Sequence, residues 1–222
     1  MHPGLIVIIA ILVVAGLVYS LYASSKRRQA LAAWAQSKGL SFNSSKDPLM
    51  DGKYHNFRCL NRGHSRYAYN IMKGNWAGRE ITAFDYHYAT GSGKNRRDHN
   101  FSAVILQSPI PLKPLYIRRE HFFDKLTEFI GFDDIDFESA EFSKKFYVKS
   151  PDKKWAYDVI HQRMMEYLLT SPQFNIEFGL MHVIAWRDRR FKPQDFEDAA
   201  NLIKGIFDRF PDYLIKQQLG QA

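Results

Sequence analysis

Hydrophobic and polar residues follow three different patterns along this chain. From Leu5 to Tyr22, "LIVIIAILVVAGLVYSLY" passes eighteen residues without a charge. At a helical rise of about 1.5 Å per residue it covers about 27 Å, close to the thickness of a bilayer core, which predicts a transmembrane helix over 5–22. A cleaved signal peptide is the rival reading, but it needs positive charge before the run and small residues at a cleavage site after it. Only Met1, His2, Pro3 and Gly4 come before, whereas Lys26, Arg27 and Arg28 come after. A buried core helix is the other alternative. Because positive flanks stay on the cytoplasmic side, the expectation is a short outside N-terminus and a cytoplasmic domain.

The second pattern is helical. "RRQALAAWAQSKGL" spaces Leu31, Trp34 and Ala35 along one face, with Gly39 where a left-handed cap would fall, predicting a juxtamembrane helix over 23–39. "EHFFDKLTEFIG" does the same with Phe122, Phe123, Leu126, Phe129 and Ile130. In "DKKWAYDVIHQRMMEYLL", Ala156, Ile160, Met164 and Leu168 recur every four residues. "PQDFEDAANLIKGIFDRF" carries a stripe of Phe196, Ala199, Ala200, Ile203, Phe207 and Phe210.

The third pattern is sheet. "SRYAYNIMKG", "REITAFDYHY" and "NFSAVILQS" are rich in aromatic and β-branched residues with turn signals between them, as in an antiparallel meander. "PIPLKPLYIRR" has three prolines, which points to an edge strand or an extended crossing. "KKFYVKS" reads as a short strand, and "FNIEF" and "LMHVIAW" as a hairpin around Gly179. "SFNSSKDPLMDG" reads as a short polar connection.

The expected fold class is therefore α+β: an N-terminal transmembrane helix, then a cytoplasmic domain of antiparallel sheet with packed helices. Either one split sheet or two similar subdomains fits. The boundaries drawn from these patterns are a non-cytoplasmic N-terminus at 1–4, the span at 5–22 and the juxtamembrane helix at 23–39. A sheet-rich basic subdomain follows at 40–132, then an α+β subdomain at 133–215 and a tail at 216–222.

Charge sharpens this picture. The formal net charge is +8, but Lys26 to Arg119 holds 17 basic and 5 acidic residues, and the remainder 14 basic and 18 acidic. The basic half adjoins the apolar run. Each Lys or Arg near an anionic leaflet gains about 1 kcal/mol, so anionic lipid headgroups are the natural partner, with another membrane protein as the second candidate. Cys59 is the only cysteine, which excludes an internal disulfide and a site built on several thiolates.

The candidate chemistry is sparse. "ATGSGKNRRD" suggests a phosphate loop, but Gly93-Lys94 is followed by Asn95, Tyr88 stands where the first glycine belongs, and a strand rather than a helix comes next. The stretch reads instead as a hairpin tip whose Lys94, Arg96 and Arg97 are candidate contacts for an anion or lipid headgroup, with Lys26, Arg27 and Arg28 flanking the bilayer. "DDIDFES", Asp133 to Ser139, lacks the glycine of a calcium loop. No metal-ligand spacing appears among the histidines, although His121 with Glu120 and Asp124 shares one helical turn. No cofactor motif is present. Asp85 and His87 share one face of a strand and could support acid–base chemistry in a pocket, which is the competing reading of a tethered enzyme. Tyr67, Tyr69, Tyr86 and Tyr88 interleave with Arg62, Arg66 and Arg79 as in a base-stacking platform, but no nucleic-acid motif accompanies them, and nucleic acid is not expected as a partner.

The short N-terminal span, then "GNWAGREITAFDY" and "FSKKFYVKSPDKKWAYDVIHQRMMEYLL", resembles a group of uncharacterised bacterial membrane-anchored proteins that carry a domain of unknown function. The resemblance covers Lys26 to Leu214 and is most specific from Glu141 to Leu169, with Ala156-Tyr157-Asp158 and Arg163-Met164-Met165-Glu166. It implies a bacterial origin and an inner-membrane address, and brings no catalytic residue. On this reading the protein is a binding or scaffolding module beside the bilayer.

Overall fold

The computed structural model describes residues 3–119 and 135–221. Helix α1 (Pro3–Ser37) leads into β1 (Ser41–Asn43), α2 (Met50–Lys53) and a 3-10 turn (Arg58–Asn61). The meander β2 (His64–Trp76), β3 (Arg79–Thr90) and β4 (Arg97–Gln107) follows, then β5 (Leu115–Arg119). The second half holds α3 (Ala140–Lys145), β6 (Phe146–Lys149), α4 (Lys153–Val159) and α5 (Gln162–Thr170). The fold closes with β7 (Asn175–Phe178), β8 (His182–Arg187), α6 (Pro193–Phe207) and α7 (Asp212–Gln218).

All eight described strands join one antiparallel sheet in the order β1-β2-β3-β4-β8-β7-β5-β6. Its two faces are covered differently, and the strand period of two sorts the side chains between them. Ile81, Ala83, Val104 and Leu106 face the larger core, built with Leu31 and Ala35 of α1, Trp155 and Ala156 of α4, Met164 and Leu168 of α5, and the apolar stripe of α6. Phe84, Tyr86, Phe101, Ala103 and Ile105 face the other way. Among the described residues they are covered there by Met50, Tyr54, Phe57, Cys59 and Leu60, from the short segment around α2 and the 3-10 turn. Burial on both faces is why β3 from Ile81 to Ala89 and β4 from Phe101 to Leu106 are almost continuously out of solvent rather than alternating.

Several expectations are corrected. Among the described residues no helix is long and apolar enough to cross a membrane. That overturns the transmembrane helix over 5–22, and with it the single-pass topology and the inner-membrane placement with its N-terminus outside and its domain in the cytoplasm. The apolar run is instead the first half of one continuous 35-residue helix, whose second half is built into the domain core. Its described large apolar side chains from Leu5 to Tyr22 stand exposed, between 50% and 73%.

The prolines of "PIPLKPLYIRR" do not mark an edge. Pro109, Pro111 and Pro114 all precede β5, which lies between β7 and β6, so no ladder position lacks its N–H. The long helix expected from Asp152 is two helices, because Ile160 and His161 leave helical geometry and His161 Nε2 turns to the Arg209 carbonyl at 2.8 Å. Ala156, Ile160, Met164 and Leu168 are nonetheless all buried, as their spacing required. The polar connection after Gly39 supplies β1, which the alternation-poor sequence "SFN" does not announce. The helix expected over Phe122 to Gly131 lies outside the described residues, as do Asp133 and Asp134 of the acidic stretch.

Candidate functional site

Asp85 sits at the centre of the first sheet face, fully buried, and its carboxylate is entirely engaged. Arg27 of α1 donates to it twice, from Nε at 2.9 Å and from Nη2 at 2.6 Å, in the bidentate arrangement that suits guanidinium and carboxylate. Asn70 Nδ2 donates at 2.9 Å, and the Ser102 hydroxyl donates to the second oxygen. Arg27 also reaches the Phe191 carbonyl with Nη1 at 2.7 Å, while the Phe191 N–H donates to Ser102 Oγ at 2.9 Å. One buried carboxylate thus ties α1 to β2, β3, β4 and the turn before α6. Asn70 is held at φ +50 in an irregular stretch of β2, a conformation asparagine tolerates better than most residues.

Asp85 and His87 therefore do not form the reactive pair that their spacing allowed. His87 contacts the Ser65 carbonyl and Asp98, at 3.0 and 3.1 Å, and stacks on Tyr67 with centroids 4.5 Å apart. Asp85 is closed to any substrate by Arg27.

The same network builds a pocket. Where α1 leaves the sheet, Ser24, Arg27 and Arg28 face Lys46 from the β1–α2 connection, Tyr67, Tyr69 and Asn70 from β2, Asn100 from β4 and Arg190 from the turn after β8. Together they enclose about 240 Å³. The lining holds four cations and no carboxylate. Arg27 is neutralised by Asp85, but among the described residues Arg28, Lys46 and Arg190 have no acidic partner, and all three are exposed. Tyrosines shape the floor: Lys46 Nζ lies 4.3 Å from the Tyr67 ring centre and the Arg190 guanidinium 5.8 Å from that of Tyr69. Burial first, with the Asp85 charge adding to it, pushes the Tyr69 hydroxyl up to about 12, so it remains a donor, to Asn100 Oδ1 at 3.1 Å. This arrangement suits an anion with a hydrogen-bonding periphery.

The pocket's position relative to α1 follows from contacts at two points. Trp34 stacks on Trp76 with centroids 6.3 Å apart, beside the start of β3, and Arg27 meets Asp85 farther along that strand. The helix therefore runs along β3 toward the β3–β4 hairpin. The exposed apolar half of α1, the basic pocket and the hairpin tip all occupy one end of the sheet.

Of the residues singled out in the sequence, Arg27 and Arg28 line this pocket, while Lys26 lies 5.4 Å from the Tyr22 ring centre. Lys94, Arg96 and Arg97 are exposed at the hairpin and do not line the pocket. Arg96 is occupied by Asp98 at 2.8 Å, which holds that carboxyl below its ordinary range. The tyrosine–arginine platform is taken apart. Tyr67 and Tyr69 are on one face, whereas Tyr86 is buried on the other with its hydroxyl donating to the Leu60 carbonyl. Arg62 pairs with Asp188, Arg66 with Asp51, and Arg79 lies over Phe207. Among the described residues no group of three His, Cys, Asp or Glu is placed to hold a metal. His121, Glu120 and Asp124 lie outside them. Cys59 is buried, and burial followed by the nearby Glu177 carboxylate pushes its thiol well up, away from reactive thiolate.

Sequence reasoning missed Lys46, a cation in a loop, Arg190, which stands with Arg187 and Arg189 in "RDRR", and Glu177. Glu177 is buried on the second sheet face, where both carboxylate oxygens accept the Arg58 N–H, at 3.2 and 3.1 Å. Desolvation pushes it up to about 7. An inward Glu in the strand "NIEF" leaves no local signal.

No family model matches the chain, and no curated protein matches it either. A solved structure does. The mycobacterial trehalose monomycolate transport factor A, TtfA, aligns with a TM-score of 0.59 and 11% identity, over 82% of this chain and 93% of that one. The two proteins share a fold.

Proposed function

We propose that this protein is a lipid-associated binding module, with the basic pocket as its anionic-headgroup site. The observation that carries the reading is the juxtaposition of two features at one end of the sheet. Arg28, Lys46 and Arg190 converge without an acidic partner where the exposed apolar half of α1 emerges. An anionic lipid presents the complementary pair: a charged headgroup for the pocket and acyl chains for Leu12, Leu17, Val18 and Leu21. Lys94 and Arg97 at the hairpin tip extend the same basic end and add longer-range attraction. The structural neighbour's name ties that protein to transport of trehalose monomycolate, and a role in handling lipid is the reading of this fold that agrees with the pocket.

Each Lys or Arg near an anionic surface contributes about 1 kcal/mol, so reversing three of them costs about 3 kcal/mol or more, over a hundredfold in affinity at low salt. The test is co-sedimentation of the full chain with vesicles of phosphatidylcholine alone and with added phosphatidylglycerol. The wild type is expected to prefer the anionic vesicles. The triple variant R28E/K46E/R190E is expected to lose that preference while keeping its binding to neutral vesicles through the apolar helix. An unchanged preference in the triple variant sinks the proposal.

A further inference from the structure

Two cations of the basic pocket are positioned by aromatic rings rather than by carboxylates. Lys46 Nζ stands 4.3 Å from the Tyr67 ring centre and the Arg190 guanidinium 5.8 Å from that of Tyr69, and the two rings are neighbours, 5.8 Å apart. Both rings are themselves held: His87 stacks on Tyr67 at 4.5 Å, and the Tyr69 hydroxyl donates to Asn100 Oδ1 at 3.1 Å. A carboxylate fixes a cation and cancels its charge, whereas a ring fixes it and leaves the charge in place. Arg28 adds a third charge from α1, while Arg27 is cancelled by Asp85. Three uncancelled positive charges therefore face one small space.

The neutral part of the lining is able to donate as well. Because Asn100 accepts from Tyr69 through Oδ1, its Nδ2 is left as a donor that has no partner among the described residues, and Ser24 and Ser44 bring hydroxyls. Such a set fits a ligand with more than one negative charge and several acceptor oxygens. A phosphodiester has a single charge and two terminal oxygens, which leaves one of the three cations desolvated without a partner. A phosphomonoester carries about −1.5 to −2 near pH 7 and offers three terminal oxygens, one for each cation. The forked guanidiniums of Arg28 and Arg190 suit those oxygens in pairs. The enclosed volume, about 240 Å³, lies below that of sites that engulf a whole drug-sized ligand, about 300–1,000 Å³, so the pocket takes a headgroup and leaves the remainder outside.

We infer that the pocket selects a phosphomonoester over a phosphodiester, an inference that rests on its being an anionic-headgroup site. A lipid of the phosphatidic acid type and a small soluble phosphate ester present the same group.

The experiment is co-sedimentation of the full chain with phosphatidylcholine vesicles that contain either phosphatidic acid or phosphatidylmethanol, the same headgroup with one oxygen capped by a methyl. The pH is 7.5, above the second ionisation of a phosphomonoester at about 6, and the methyl ester is present at twice the mole fraction so that its surface charge is at least equal. Phosphatidic acid vesicles are expected to bind at least about tenfold more tightly, the effect of one charge-assisted contact. K46Q removes one of the three cations. It is expected to keep a preference for anionic over neutral vesicles while the ratio between the two anionic lipids falls close to one.

Isothermal titration with glycerol 3-phosphate, and with dimethyl phosphate as the diester, separates the two sources. Glycerol 3-phosphate binding that matches the vesicles and weakens in K46Q supports the inference with a soluble ligand. Vesicle selectivity with glycerol 3-phosphate much weaker supports it with a lipid. Equal binding of the two anionic lipids overturns it, and so does a ratio that K46Q leaves unchanged, since the monoester is then read elsewhere. If equal binding is still abolished by R28E/K46E/R190E, the anionic-headgroup site stands and only its selectivity is lost. A wild type with no anionic preference removes both.

Discussion

Replacing Arg27 by Met would leave the Asp85 carboxylate buried without its cation. Asp85 is wholly inaccessible and the Arg27 side chain 20% exposed, so solvent cannot substitute for the lost charge. Removing one partner of a buried pair costs about 3–5 kcal/mol, because the remaining ion is uncompensated. The Phe191 carbonyl also loses its donor, adding about 1 kcal/mol, while the methionine side chain retains much of the stem's packing. For a chain of this size, about 2–4 °C of melting temperature accompanies each kcal/mol, so with a total loss of about 4–6 kcal/mol R27M is expected to melt about 8–24 °C below wild type.

The double variant R27M/D85N has no carboxylate to bury, and its loss is expected to be smaller than that of R27M alone. Thermal and urea unfolding of the four proteins of this cycle, with D85N as the other single change, measures both effects. If R27M loses less than about 1 kcal/mol, or if the two single changes add within about 0.5 kcal/mol, the Arg27–Asp85 contact is not what fixes α1 to the sheet.

Glu177 gives a pH prediction of definite sign. Its folded-state pKa lies above the ordinary carboxyl value, so the native state holds the proton over a range where the unfolded chain has released it. Stability from this group is complete below about pH 4.5 and is lost as pH rises through about 7, by about 3 kcal/mol. The difference in unfolding free energy between wild type and E177Q should therefore change by that amount across the window; a flat difference would mean that Glu177 is not desolvated. Gly63 at φ +55 gives a steric prediction, since an added Cβ would sit 2.0 Å from the Ala89 carbonyl oxygen. G63A is expected to cost more than about 1 kcal/mol, read as a lower melting temperature. Equal melting of the two proteins would show that this corner of the meander is free to move.

Much of the architecture is local and was legible in the residues. The strands of the meander, the Gly-rich loop as a hairpin, the β7–β8 pair and the stripe of α6 follow from periods of 2.0 and 3.6 and from turn chemistry, which operate over a few residues. The four-residue spacing of Ala156, Ile160, Met164 and Leu168 likewise announced a buried face, although not the break at Ile160 and His161, which answers to the distant Arg209 carbonyl. The apolar run was plain, and so was the helical face of Leu31, Trp34 and Ala35 that follows it, but not that one uninterrupted helix carries both.

Only the tertiary structure decided which charges meet. Arg27 reads as one of three equivalent flanking cations, yet it finds Asp85 and the Phe191 carbonyl, 58 and 164 residues away, and ceases to be a free charge. Arg28, Lys46 and Arg190 come together because a helix, a loop, a strand and a turn from separate parts of the chain meet at the same corner of the sheet. Glu177 is an ordinary carboxylate in the sequence, but in the fold strand pairing and the Asn56–Arg58 segment exclude water from it and push it up to about 7. Periodicity along a chain specifies elements; desolvation and charge pairing depend on neighbours across the sheet, which no local pattern contains.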